Sequence, residues 1–250
     1  MNWFQQWIKY KQPCPFTAIP KYSVVLIDTS AMRPGGSEWK NNIGHSTPLD
    51  LKQERNNIIQ GQQYLEQCIN GFLNQANTST VDEVLKEIQK GQYNLEQRMR
   101  IIEGKKFNTS IKSREYFKEL HKLTKSYTEY LTSYQKMRTS ISPYTGNFTD
   151  LKKTFPVSKA NQDLAAAAYA TFEDSEQEIA VFTADQDLIH LLAAYYIETP
   201  VSHQEAFQKQ IRVILPLKEY KAAAIVIQPS VYYQEATREI KRMIQERTGR

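Results

Sequence analysis

The residues of this chain best suited to chemistry are carboxylates at the ends of short apolar runs. Tyr22 to Asp28 reads YSVVLID, a strand-like run that ends on an acid and is followed by Thr29 and Ser30. A second run, Ile179 to Thr183, leads directly to Asp185 and Asp187. In open α/β sheets, ligands collect at the carboxyl ends of strands, where loops vary without disturbing the core. Two further acids come from helical patterns. Glu87 lies at the edge of the apolar face formed by Val81, Val84, Leu85 and Ile88, and an acid at such a margin needs a partner or a metal once it is desolvated. Asp163 opens an alanine-rich helix that includes Ala165 to Ala168. Two carboxylates about 4 Å apart repel by roughly 4 kcal/mol at an effective dielectric of 20, so acids converge only with compensation. A divalent cation provides it, and oxygen ligands with retained waters suit Mg²⁺ or Mn²⁺ rather than zinc. A metal there can activate a water and stabilise the departing oxygen of a phosphodiester. Taken singly, each aspartate has a competing role as a turn former or helix cap.

The elements that must position these acids are written in the periodicity. Helical patterns alternate with β-branched apolar runs, which predicts an α/β fold: a three-layer sandwich around a mostly parallel central sheet. Strands are expected at Tyr22–Asp28, Ile179–Thr183, Ile211–Leu217 and Ala222–Ile227, with a short one across Phe72–Thr78. Helices are expected at Leu51–Ile69 with Asp50 as cap, at Lys159–Thr171, onward from Leu188 to Ile197, and as a closing amphipathic helix within residues 230–250. Thr80 and Glu83 have the spacing of a capping box, and Gly91 reads as the end of that short helix. Glu83 thereby has a structural task, which leaves Glu87 for chemistry. Residues 1–21, with Pro13, Pro15 and Pro20, read as an N-terminal arm, and Arg33 to Pro48 as a long irregular loop.

Residues 92–150 change character to long, helical and basic. From Arg98 to Arg138, eleven lysines and arginines face four glutamates, a net +7 that leaves −2 for the rest of a chain of formal charge +5. This is a basic helical insertion within a single domain of residues 1–250. Candidate nucleic-acid contacts are Thr29, Ser30, Arg33, Lys105, Lys106, Lys112, Arg114, Lys118, Lys122 and Lys125. Rings are interleaved with the charges, but Phe117, Leu120, Thr124, Tyr127, Leu131 and Tyr134 repeat at 3,4 spacing. A packing stripe is therefore the better reading of the rings than a base-stacking platform.

With 250 residues, 40% hydrophobic and 24% charged, the chain can bury one substantial core. No run approaches the roughly 18 apolar residues of a membrane span, and the opening MNWFQQWIKYKQ lacks the apolar core of a signal peptide. Cys14 and Cys68 are too few for a disulfide framework or a metal knuckle, so a reducing, cytoplasmic setting is expected. His45, His121, His190 and His203 show no metal-ligand spacing, and the chain has no Gly-x-Ser-x-Gly elbow, phosphate loop or dinucleotide fingerprint.

In chain order the acids form a pattern. Asp28-Thr29-Ser30 follows the first strand, Val84-Leu85-Lys86-Glu87 lies on a helix, Asp163-Leu164-Ala165 opens the alanine-rich helix, and Thr183-Ala184-Asp185-Gln186-Asp187 follows a later strand. Together these resemble the PIN-domain nucleases. The matching pieces lie within residues 22–90 and 158–230, while the loop after Arg33, the segment from Gln92 to Asp150, and Leu188 where an aromatic is common depart from the compact members. The resemblance implies a PIN-like sandwich with Asp28, Glu87, Asp163 and Asp185 as catalytic metal ligands, direct or through water, and Asp187 as a supporting ligand. It implies Mg²⁺ or Mn²⁺ as cofactor and endonucleolytic cleavage of single-stranded RNA to 5′-phosphate and 3′-hydroxyl ends. A structure-selective DNA nuclease stays open as an alternative. So does a catalytically silent RNA- or partner-binding module, which ion pairing of the acids to Arg33, Lys159 or Arg212 would favour. A protein inhibitor, as for a toxin of a toxin-antitoxin pair, or a homo-oligomer is compatible with the sequence, and no membrane partner is expected.

Overall fold

The structure, a computed structural model, describes residues 12–32, 47–105, 113–152, 155–216 and 223–227. Within them, short apolar runs become strands β1 (Gln12–Pro15), β2 (Val24–Ile27), β3 (Thr78–Thr80), β4 (Ser142–Pro143), β5 (Ile179–Phe182), β6 (Ile211–Pro216) and β7 (Ala223–Ile227). They form one sheet in the order β1-β7-β6-β5-β2-β3-β4. The stretch from β6 to β4 is parallel throughout, and β7 and β1 add antiparallel to its other end. Prolines sit in the two edge strands, Pro13 and Pro15 in β1 and Pro143 in β4, where a missing amide spares the ladder.

The helices are α1 (Thr29–Met32), α2 (Pro48–Cys68), α3 (Asp82–Lys105), α4 (Arg114–Ser140), α5 (Lys159–Asp174), α6 (Gln186–Glu198) and α7 (Val201–Gln210). Every residue of β5, and Val25 to Ile27 of β2, is buried. Successive side chains of a strand point to opposite faces, so helices cover both faces of the sheet, as in a three-layer α/β sandwich. Phe182 of β5 meets Phe16 and Phe72 edge-on, with ring centroids 5.8 and 4.9 Å away, and Phe16 meets Tyr64 of α2 at 5.8 Å. The Tyr64 hydroxyl donates to the Ala31 carbonyl at 2.8 Å, which ties α1, the turn that follows Asp28, to α2. Ala165 to Ala168 of α5 are fully buried, small side chains that permit close packing. Among the described residues no helix is long and apolar enough to cross a membrane.

Several local expectations are corrected. Thr47, not Asp50, caps α2; its hydroxyl accepts from the Asp50 amide at 3.2 Å while the Asp50 carboxylate accepts from the Thr47 amide at 2.9 Å. A strand across Phe72–Thr78 is replaced by a π-helical turn at Ile69–Leu73 and by β3. The Thr80–Glu83 capping box does not form. The Thr80 hydroxyl donates to the Ile27 carbonyl at 2.5 Å, and Glu83 instead takes Lys86 at 2.8 Å and Lys159 at 2.6 Å. Gly91 does not end the helix, because Val84, Ile88, Gly91, Leu95, Arg98 and Ile102 continue one buried seam of α3 at 4,3 spacing. Strand β1 and helix α7 had no signal strong enough to be anticipated. The expected helix within residues 230–250 lies outside the described residues.

The basic stretch is carried by α3 and α4, and α4 packs along both α2 and α3. Tyr116, Tyr127, Tyr130 and Tyr134 are buried there, as a packing stripe. Glu54 of α2 joins the three helices, accepting from Arg98 at 3.2 Å and from the Tyr127 hydroxyl at 2.5 Å, and Arg55 pairs with Glu119 at 2.9 Å. A Cβ added at Gly71 would lie 2.8 Å from Phe16 Cβ and 3.3 Å from its carbonyl carbon, whereas one added at Gly104 meets nothing within 4 Å. Gly71→Ala is therefore expected to destabilise by about 1–3 kcal/mol through overpacking, and Gly104→Ala to stabilise by about 0.4–1 kcal/mol. Urea denaturation of the two variants checks the opposite signs.

Candidate active site

Parallel pairing of β2 and β5 sets Ile27 opposite Phe182, so Asp28 and Thr183 leave the sheet side by side at its carboxyl edge. The backbone fixes both: the Asp28 amide donates to the Phe182 carbonyl at 3.0 Å and the Thr183 amide to the Ile214 carbonyl at 3.1 Å. Asp28 is 3% exposed. One of its carboxyl oxygens accepts from the Ser30 hydroxyl and from the Thr183 hydroxyl, the latter at 2.6 Å. The other lies 3.5 Å from the Thr29 hydroxyl, whose single proton goes to Glu87 at 2.5 Å. Thr29 thus bridges the acid after β2 to the acid on α3.

The network continues through hydroxyls. Ser30 Oγ accepts from the Ala184 amide at 2.9 Å and sits 3.2 Å from Thr183 Oγ1, which itself accepts from the Asp185 amide at 2.9 Å. Asp185 is the N-cap of α6; one carboxyl oxygen takes the Asp187 amide at 2.8 Å and the other takes the Asn161 side-chain amide at 3.0 Å. Asp187 is partly buried in the first turn of α6. Burial raises the Asp28 carboxyl above its ordinary value, the nearby charge of Asp185 adds to that, and the hydroxyls of Ser30 and Thr183 oppose it. Among the described residues, Asp28, Glu87 and Asp185 make no ion pair with a lysine or arginine.

Asp163 stands differently. It is 5% exposed and lies 2.8 Å from the Lys152 ammonium, an ion-pair distance without hydrogen-bond alignment. The residue of α5 that reaches Asp185 is Asn161, buried and fixed by the Ser158 cap, which accepts its amide at 3.1 Å. Asn161 was missed in the sequence, although its place three residues after a serine that can cap a helix was a readable signal; Lys152 comes from an irregular connector and had none. Lys159 goes to Glu83, and the Arg212 guanidinium to the carbonyls of Gln208 and Ile211, so neither neutralises the acids of the network.

The donor set of Asp28, Glu87 and Asp185 fits a hard divalent cation in chemistry: all oxygen, and without a facing cation among the described residues. It is not a preassembled coordination sphere, since the hydroxyls of Thr29, Ser30 and Thr183 lie between the carboxylates. No group of three or more His, Cys, Asp or Glu side chains among the described residues is placed to hold a metal ion. Of the candidate nucleic-acid contacts, Arg114, Lys118 and Lys125 are exposed on α4 and Lys122 is half-buried. Lys122 is committed to Glu119 at 2.7 Å, and Lys125 lies 3.9 Å from Glu129. Arg33, Lys106, Lys112 and the side chain of Lys105 lie outside the described residues. Compared with protein-family models, curated proteins and solved structures, the chain matches none.

A carboxyl whose folded value is raised favours folding when protonated. That contribution is complete below the ordinary value of 3.8 and is lost as the pH rises through the folded value. At neutral pH the burial of Asp28 therefore leaves the chain less stable than the same group does in acid. Asp28→Asn is expected to raise Tm at pH 7. The gain should shrink as the pH falls toward 3.8. Calorimetric melts of both proteins across that range check it; a lower Tm for the variant at pH 7 would make Asp28 a structural anchor.

Proposed function

We propose that the chain is a divalent-metal-dependent nuclease of the PIN-like kind, acting on single-stranded RNA inside the cell. The observation that carries the reading is the hydrogen-bonded array of Asp28, Glu87 and Asp185 at the carboxyl ends of β2 and β5, an acid cluster without a neutralising cation among the described residues. Asp28, Glu87 and Asp185 would hold Mg²⁺ or Mn²⁺ directly or through water, with Asp187 at the rim of the same helix turn. Such a cation supplies Lewis acidity for phosphodiester hydrolysis.

The chain's own residues have separable tasks. Ser30 and Thr183 clamp the Asp28 carboxylate in one orientation, and Thr29 holds Glu87 toward it. The amino end of α6, thirteen residues long, lies at the cluster, and its dipole offsets part of the carboxylate repulsion and favours an incoming phosphate. Arg114 and Lys118 provide exposed positive charge for the phosphates of the strand. A structure-selective DNA nuclease would use the same groups. The ion pair between Lys152 and Asp163 favours a second reading, a catalytically silent binding module, because one of the expected ligands already has a counter-charge.

Labelled single-stranded RNA and DNA, offered with Mn²⁺, Mg²⁺ or EDTA, separate these readings. Wild type is expected to cut RNA to 5′-phosphate products only with metal, and Asp28→Asn or Glu87→Gln to lose on the order of 100-fold or more in rate while staying folded. Salt-sensitive binding with no cleavage by any of the proteins would leave the binding module. Arg114→Ala with Lys118→Ala is expected to weaken RNA binding across sequences and to reduce the salt slope by roughly 1.4, about 0.7 per lost phosphate contact.

A further inference from the structure

We infer that the outer face of α3 is a strand-binding surface, on which the ring of Tyr93 stacks against an unpaired base while Lys90, Arg100 and Arg138 take the adjoining phosphates. The inference rests on the reading that the chain takes single-stranded nucleic acid, and is independent of any metal.

The surface follows from the register of α3. Its buried seam takes one side of the helix, and Lys86, Lys90, Tyr93 and Arg100 are exposed on the other at 4,3,7 spacing, with Ile101 beside Arg100. Tyr93 is 58% exposed and Ile101 is 50% exposed. Among the described residues no other aromatic ring is as open to water, and the Tyr93 side chain has no ring contact or hydrogen bond there. The tyrosines of α4 differ: Tyr116, Tyr127, Tyr130 and Tyr134 are buried in the packing with α2 and α3. A flat apolar partner would cover Tyr93 favourably, and every unpaired base has such a face.

Charge selects the partner. Lys86 is committed to Glu83 at 2.8 Å, but Lys90 and Arg100 make no ion pair among the described residues. Lys90 precedes Tyr93 by three residues, which makes the two side chains surface neighbours, about 5–6 Å apart at Cβ. A third cation arrives from α4. The Arg138 guanidinium donates to the side-chain carbonyl of Gln92, the residue before Tyr93, at 3.0 Å. That partner is a neutral amide, so the charge of Arg138 remains for a phosphate. The acid one turn after Tyr93 is Glu96, half-buried and bound to the Gln92 amide at 2.8 Å, so the balance around the ring stays positive. A protein partner would be matched by Tyr93 and Ile101 alone; the three cations favour a polyanion. Glu87 lies on the same helix, six residues before Tyr93 and about 9 Å along its axis, so one short strand reaches both. A duplex hides its base faces, which makes Tyr93 the group on this face that tells single strands from double.

The test is binding of a labelled single-stranded RNA, the corresponding duplex and an abasic strand of equal length, all in EDTA so that none is cut. Tyr93→Ala is expected to bind the single strand about fivefold or more weakly than wild type, the loss of one stacked base, and to stay within about twofold on the duplex and the abasic strand. Tyr93→Phe keeps the ring and should stay within about twofold of wild type on all three. Lys90→Ala gives the contrasting pattern: it weakens all three alike and lowers the salt slope on the single strand by about 0.7, whereas Tyr93→Ala leaves that slope unchanged. The exposed position and the higher helix propensity of alanine keep Tyr93→Ala folded, which circular dichroism checks. A loss of less than about fivefold on the single strand, or an equal loss on the abasic strand, overturns the inference. So does a Tyr93→Phe variant as weak as Tyr93→Ala, which would assign the effect to the hydroxyl. If the face meets a protein instead, Tyr93→Ala alters the sedimentation of the chain and leaves its RNA affinity unchanged, which also overturns it. Wild type that binds no nucleic acid would sink the nucleic-acid reading itself, whereas wild type and Tyr93→Ala binding equally well sinks only the role of the ring.

Discussion

The local structure depends on one constraint, a carboxylate that the chain buries where a strand ends. Asp28 leaves β2 with its backbone still paired to β5, so its side chain cannot turn out to water without breaking the sheet edge. Burial opposes its charge and Asp185 opposes it further. The answer is a set of hydroxyls, Ser30 and Thr183 on one oxygen and Thr29 near the other. Hydroxyls satisfy lone pairs without cancelling charge. A lysine or arginine would have done both, and none joins this array among the described residues.

The rest of the fold can be understood as support for that arrangement. The rings of Phe16, Phe72 and Phe182 lock the sheet to the turns beneath it. Tyr64 ties α1 to α2, so that Thr29 and Ser30 point back at Asp28. The seam of α3 brings Glu87 within reach of Thr29, and the Ser158 cap sets Asn161 against Asp185. The long helices have a different task. Their glutamates, arginines and tyrosines are engaged with one another across α2, α3 and α4, and Arg114, Lys118 and Lys125 stay exposed on α4 while its tyrosines are buried.

The sequence made the sheet legible wherever a run was buried on both faces. Val24–Ile27, Ile179–Phe182 and Ile211–Pro216 show near-continuous apolar character, and they are strands. Edge strands β1 and β4, short and proline-bearing, lacked that signal. Punctuation misled at Gly91, because a glycine in a close-packed helical seam looks the same in sequence as a glycine that ends a helix. Thr80 misled for a related reason, since its hydroxyl found a strand carbonyl instead of a helix amide. In the candidate site, Asp28, Glu87 and Asp185 could be read from strand ends and helix faces, and the structure joins them through Thr29, Ser30 and Thr183. The partnership of Asp163 with Lys152 could not be read, because it is a tertiary contact from a connector without periodicity.

The central claim is that the uncompensated acids at the ends of β2 and β5 hold a divalent cation. Anomalous diffraction from crystals of the wild-type protein soaked in Mn²⁺ tests it most directly. The expected result is a manganese peak among the carboxylates of Asp28, Glu87 and Asp185, absent from Asp28→Asn crystals treated in the same way. A fully ordered site with the hydroxyl network intact and no manganese at those carboxylates would contradict it, and the array would then be a structural device for burying Asp28.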